Sequence, residues 1–193
     1  MILIAAFAVA VATVPLFGGR LSRLARLQLR WASLLYAGLA IQLLIIELLP
    51  STFPGADALH LTSYGLAIVF LFANRGMPGI ILVALGAFTN VVAIATNGGV
   101  MPASAHALAV AGRTGKSEHF ANSTAVSHPH FAFFGDVFAI PARFPLANVF
   151  SIGDVLLLIG GAVTVHVVCG SRLPRRNRAL QHADANASPV EAT

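Results

Sequence analysis

Five long apolar runs constrain this chain more than any motif in it. Met1–Phe17, Trp31–Leu49, Ala58–Ala73, Gly79–Thr96 and Ile152–Gly170 each hold at most one Asp, Glu, Lys or Arg. At roughly 16 to 19 residues they are short but workable as helices across a hydrocarbon core of roughly 30 Å. Composition points the same way. The chain is 57% hydrophobic and 10% charged, against about 45–50% and about 25% for a soluble domain. Those are more apolar side chains than a domain of this length can bury, which excludes an ordinary water-soluble enzyme and any disordered or fibrous class. The expectation is an all-α integral membrane bundle of five transmembrane helices, residues 1–170. A polar tail, 171–193, carries no apolar stripe and is expected to be disordered.

Charge placement gives an orientation. Segments 18–30, 74–78 and 171–193 fall on one side of a five-span chain. They hold Arg20, Arg23, Arg26, Arg30, Arg75, Arg172, Arg175, Arg176 and Arg178, nine of the twelve bases. The other side holds Arg113, Lys116 and Arg143. The positive-inside rule then puts the N-terminus outside and the C-terminus in the cytoplasm of a cell whose inner (plasma) membrane the chain crosses. Met1–Phe17 reads as an uncleaved first helix, because its positive charge follows the apolar run instead of preceding it. The net charge of +5 is not gathered into an aromatic-interleaved groove, so no nucleic-acid partner is expected. Cys169 is the sole cysteine, so no internal disulfide exists; its place near a span end reads as packing.

Two connecting stretches stand out. On an α-helical wheel Arg20, Arg23, Arg26 and Arg30 share one flank and Leu21, Leu24, Ala25 and Leu29 the other, with Leu27 breaking the pattern. Such a helix would lie at the interface with its guanidinium groups toward anionic lipid headgroups or a partner. The outer loop, 97–151, carries seven of the thirteen Phe. Structureless loops of that length are uncommon, so Phe131–Phe144 is expected to fold back as a short amphipathic or re-entrant segment. It would lie on the outer interface or over the bundle. Asn74-Arg75-Gly76-Met77-Pro78 and Asn97-Gly98-Gly99-Val100-Met101-Pro102 look alike. Both fit helix termination by Asn and Gly followed by Pro, and the likeness reads as coincidence.

Three pieces in order carry a resemblance. They are Gly18-Gly19-Arg20-Leu21 with Leu29-Arg30, then Asn97-Gly98-Gly99-Val100-Met101-Pro102, then Phe134-Gly135-Asp136 with Ile140-Pro141 and Ser151-Ile152-Gly153-Asp154. With these spans between them the chain resembles the bacterial membrane family known as domain of unknown function 5317. That resemblance implies a small integral membrane protein and supplies no catalytic residue.

Candidate chemistry sits mostly at the outer ends. Ser151 and Asp154 have capping-box spacing and suit the start of the fifth helix, yet Asp154 is also a candidate for a polar outer site. Asn97, Gly98 and Gly99 fit a C-cap and turn, or a nest of backbone N–H groups for an anion or headgroup. Asp136 joins them as a third element of that site. His128 and His130 put two imidazoles on one face and are the candidate metal ligands, with His119, His106 or the two carboxylates as partners. No HExxH, paired-cysteine, GxSxG, P-loop or GxGxxG pattern is present. His60 and His166 lie at opposite depths, which argues against haem. Asn90, with Thr89 and Gln42 as partners, reads as hydrogen-bond glue between helices, and no carboxylate or base stands at mid-membrane to make an ion path. Two readings of function remain open. One is a non-enzymatic accessory or scaffold subunit of a larger membrane complex, with Arg20, Arg23, Arg26 and Arg30 as contacts. The other is an outer-leaflet lipid or small-molecule binder, or an enzyme, with a site near Asn97–Pro102, Asp136 and Asp154.

Overall fold

A computed structural model describes residues 2–48, 53–113 and 123–172. The tail 173–193 and the stretch 114–122, with His119, lie outside the described residues. The chain is mostly helical. Helix α1 is Ile2–Thr13, α2 Ala32–Leu43 with a π-helical extension Leu44–Leu48, α3 Ala56–Ala73 and α4 Ile80–Thr96. After a short strand β1, Met101–Pro102, come α5, Ala105–Val110, and β2, Ser123–Thr124. Strands β3, Phe138–Ala139, and β4, Val149–Phe150, precede α6, Ile152–Cys169. One helix, α6, is long and apolar enough to cross a membrane, with a mean hydropathy of 2.1; Ile2–Phe17, Ala32–Leu43, Ala58–Ala73 and Ile80–Thr96 are shorter apolar helices.

The helices do not close into a ring. Their principal contacts run α1–α6–α4–α3–α2, an open row with α1 and α2 at its edges. The tightest pair is α4 with α6, and glycines seven residues apart on each helix explain it. Gly79 at the start of α4 lies against Gly160, and Gly86 against Gly153, in antiparallel register. A Cβ on Gly160 would stand 2.7 Å from the Val83 nitrogen and 2.8 Å from the Gly79 oxygen. Thr164 Oγ1, which donates to the Pro78 carbonyl at 2.7 Å, ties the same end.

Segments 18–30, 74–78 and 171–172 come together at one end of the row, the arginine end. Arg20 N donates to Cys169 O, Arg172 N to Phe17 O, and Asn74 holds the Arg30 backbone. Leu21–Arg26 is a 3₁₀-helix there, not the α-helix that the wheel assumed. The sequence repeats every three residues, Arg20-Arg23-Arg26 and Leu21-Leu24-Leu27, and side chains three apart eclipse in a 3₁₀-helix. Leu27, out of place on the α wheel, is the C-cap just past this helix, its N–H bonded to Leu24 O. Leu24 packs on the small core of Val14, Val165 and Cys169.

The long loop folds at the opposite end. β1 pairs in parallel with β2, β3 pairs antiparallel with β4, and Ala103 bridges to Asp136. Ala107, Ala111 and Val149 make a separate core beneath α5. The Phe-rich stretch is a single 3₁₀ turn, Ala132–Phe134, and the strand pair, with Phe138 stacked on Phe150 at 5.4 Å. The turn rests on α4 and α6, so this stretch folds back over the row as short pieces.

Candidate functional site

The sequence S-x-x-D at residues 151–154 builds the first polar cluster. Ser151 N-caps α6: its Oγ accepts from Asp154 N, and Asp154 Oδ2 accepts from Ser151 N, both at 3.0 Å. Asn90 on α4 completes it. Asn90 Nδ2 donates to Asp154 Oδ1 at 3.0 Å, and Ser151 Oγ donates to Asn90 Oδ1 at 3.0 Å. Ser151 is fully buried and Asp154 half-buried. Every group in the cluster is spent on another member, and the Ser151 hydroxyl faces an amide, not a base. The arrangement fastens the start of α6 to α4. Asn90 therefore finds Ser151 and Asp154 as partners, and not Gln42.

Asn97 closes α4 and reaches across the loop. Its Nδ2 donates to Ala93 O at 2.7 Å and to His130 O at 2.8 Å, while its Oδ1 accepts from His130 N at 2.9 Å. Asn74 does the same at the arginine end. Its Nδ2 donates to Phe70 O at 2.8 Å and Arg30 O at 2.9 Å, and its Oδ1 accepts from Arg30 N at 3.0 Å. In both places the next residue of the docked segment, Trp31 or Phe131, is left-handed, with φ of 55° and 50°, and an alanine follows into helix. The likeness of the two Asn-Gly-Pro stretches thus extends to a shared latch, beyond simple helix termination.

The other predicted residues are held in several ways. His130 is held by its backbone, and the His128 and His130 imidazoles are exposed. Among the described residues no group of three or more His, Cys, Asp and Glu stands together to hold a metal ion. Asp136 is buried and placed by backbone bonds, its N–H to Pro102 O and its carbonyl from Ser104 N. Gly98 and Gly99 are left-handed, and Gly99 N closes the turn on Ile94 O. At the arginine end Arg20, Arg23, Arg26 and Arg30 are exposed. Arg23 folds over Gly170 and donates to Cys169 O at 3.4 Å, capping α6.

A second polar cluster, between α2 and α3, was not anticipated. Gln42 Nε2 donates to Ser63 Oγ at 2.5 Å, Ser63 Oγ donates to His60 O at 2.6 Å, and His60 Nε2 pairs with Tyr64 Oη at 2.7 Å. The spacing of His60 and Tyr64, four apart on one helix, was the available signal. A recess of about 250 Å³ opens between α2 and α3 on one side of Tyr64. Another of about 160 Å³ opens on its other side, toward Gly98 and Gly99. His166 was likewise missed as a fastener: its Nε2 sits 3.1 Å from Ala10 O and its Nδ1 2.9 Å from Ser171 Oγ.

The open row of apolar helices, one of them of membrane-crossing length, thus carries a small folded loop at one end and exposed arginines at the other. The chain belongs to the family of unknown function DUF5317, whose sequence profile matches residues 26–166. Gly18–Leu21, the first piece of the resemblance, precedes the matched stretch. No curated protein and no solved structure matches the chain.

Proposed function

We propose that this protein is a five-span integral membrane protein that acts as a non-enzymatic accessory or scaffold subunit of a larger membrane complex. The observation that carries the reading is the open row. A row of five helices joined α1–α6–α4–α3–α2 leaves two broad apolar faces, where Leu39, Phe72, Ile81 and Phe88 stand more than half exposed. Such faces suit lipid and the helices of neighbouring subunits. Ile2–Phe17 and Ala32–Leu48 each extend about 25 Å at about 1.5 Å per residue, short spans that a modest thinning of the bilayer accommodates. The gathering of Arg20, Arg23, Arg26, Arg30, Arg75 and Arg172 at one end favours a cytoplasmic arginine end, in contact with anionic headgroups, and a loop end outside. The polar residues that would serve an enzyme support the same reading, because Ser151, Asp154 and Asn97 are engaged in holding helices and loop together.

Two measurements test it. Reporter fusions at residues 1 and 193 are expected on opposite sides of the membrane; both on one side would overturn the five-span topology. Gentle extraction of the tagged chain from its native membrane is expected to bring down defined membrane subunits in fixed ratio. A chain that comes out alone and monodisperse would refute the accessory role.

A further inference from the structure

The segment after α1 and the segment after α6 are laced together at the arginine end. Phe17 O accepts from Arg172 N at 2.8 Å, and Cys169 O accepts from Arg20 N at 2.9 Å. Arg20 and Arg172 therefore leave one small patch of backbone. Two left-handed glycines floor it, Gly18 with φ of 71° and Gly170 with φ of 72°. A Cβ on Gly18 would stand 4.0 Å from Arg172 Cδ, and one on Gly170 would strike the Arg23 guanidinium. Arg20, Arg23 and Arg172 thus rim one seam, and all three are exposed. Beside them Leu16 is almost fully exposed and Phe17 about half exposed. Arg30 and Arg75 stand apart from the seam, on either side of the Asn74 latch. Acidic residues are placed elsewhere. Glu47 lies in the π-helical extension of α2, Asp57 in the first turn of α3, Asp136 in the loop and Asp154 in the first turn of α6, all at the opposite end of the row. Glu118, Asp184 and Glu191 lie outside the described residues.

We propose that this seam seats the phosphate of one anionic phospholipid, with its acyl chains lying along the apolar face at Leu16 and Phe17. Guanidinium forks match phosphate oxygens two at a time, and three of them converge here from two segments of chain. The carbonyl end of α6 would by itself repel an anion. Arg23, which donates to Cys169 O, offsets that end. The glycine floor leaves the space above it to the arginines and the phosphate, where any side chain would stand in the way. Exposed Leu16 and Phe17 beside the seam favour a lipid over a free phosphate, because they give its chains a surface. A diffuse attraction would instead draw on every arginine of this end alike. The inference deepens the headgroup contact of the proposed function: it rests on the membrane-spanning reading and is independent of the accessory role.

The test uses the full chain in a neutral detergent and reads the rate at which an uncharged maleimide dye labels Cys169, which is buried beneath this seam against Val14 and Val165. Labelling requires α1 and α6 to part, so a lipid that bridges them slows it. Phosphatidylglycerol at about ten times its dissociation constant should slow labelling about tenfold. Arg20→Gln/Arg172→Gln, which leaves both backbone bonds intact, should weaken binding at least about tenfold. At the same lipid concentration its labelling should return to within about twofold of the lipid-free rate. Arg30→Gln/Arg75→Gln removes the same charge away from the seam and should keep the protection. Equal loss in the two pairs would mean diffuse attraction only and overturns the site. Equal protection by phosphatidylcholine would mean that lipid packing, not anion recognition, slows the dye, and also overturns it. Inorganic phosphate protecting as well as phosphatidylglycerol would show a phosphate site that needs no lipid and overturns the lipid assignment. A second measurement is free of variants: phosphatidylglycerol with a diazirine near its head should label residues 16–23 and 169–172 of the wild-type chain, and labelling centred elsewhere refutes the seam. Reporter fusions read the topology separately, so failure of the spanning reading is distinguishable from failure of the lipid site.

Discussion

Gly160→Ala and Gly65→Ala make the sharpest test of how this fold is held. Both glycines lie within helices, so both substitutions gain the same helix propensity, about 1 kcal/mol. They differ in what the new methyl meets. At Gly160 it would stand 2.7 Å from a backbone nitrogen and 2.8 Å from a carbonyl oxygen of α4; at Gly65 nothing lies within 4 Å. Backbone atoms cannot swing aside as a side chain does, so the helices must part. Overpacking of this kind costs about 1–3 kcal/mol. At roughly 2–4 °C per kcal/mol for a chain of this size, Gly160→Ala should melt about 2–12 °C below Gly65→Ala. The protein carries its own reporter. Cys169 is the sole cysteine and is buried against Val14 and Val165, so a thiol-reactive dye reports opening of the α1–α6 contact on heating. Equal melting of the two variants would show that the paired glycines do not set the α4–α6 spacing, and the register argument would fall.

Further outcomes follow from the same geometry. Asn97→Ala removes two hydrogen bonds to the exposed His130 backbone, at a cost of about 0.5–1.5 kcal/mol each. It should expose residues 128–135 to limited proteolysis while Asn74→Ala does not; equal cleavage in the two would refute separate latches. Asp154→Ala should cost about 1 kcal/mol as a lost cap. Because Asn90 bonds the same carboxylate, the double variant Asn90→Ala/Asp154→Ala should fall short of additivity by about 0.5–1 kcal/mol in a denaturation cycle; simple additivity would mean the two do not cooperate. Leu24→Ala should speed dye labelling of Cys169 at 25 °C, whereas Leu21→Ala, at an exposed position, leaves the rate unchanged, since Leu24 packs on that core; an equal effect of both would show that Leu24 does not specifically cover Cys169.

What could be read from the sequence was what is local. The capping box at Ser151 and Asp154 spans four residues, and the structure forms it. The leucine and arginine triplet was visible too, but a 3.6-residue wheel cannot display a three-residue period, and Leu27 looked like an error. The latches were out of reach for a different reason. Asn97 and Asn74 bond backbones 33 and 44 residues away, and the backbone atoms of Arg30 and His130 carry no side-chain signature. Their shared wording, Asn and Gly before Pro, was legible, yet nothing local tied it to a docked segment. Gln42 was assigned to the wrong helix because polar residues in apolar runs announce that they need a partner without saying which. Helix order decides that. Asn90 lies beside the start of α6 and Gln42 beside Ser63, an outcome of the row α1–α6–α4–α3–α2 that no single stretch of sequence encodes.

The same order explains where an opening is left. Along α4 and α6 two glycines on each helix face one another, so the backbones meet at two levels and the space between is closed. Along α2 and α3 there is one such contact, Gly38 against the Ser63 carbonyl, at 3.2 Å from an added Cβ. Around that single point Leu34, Leu35, Tyr64 and Ala67 hold the two helices apart, and the crevice remains. Its polar end follows from the same geometry. Gln42 meets Ser63 across the crevice, and Ser63, His60 and Tyr64 bond along α3. The crevice thus lies at one edge of the row, away from the glycine-packed centre.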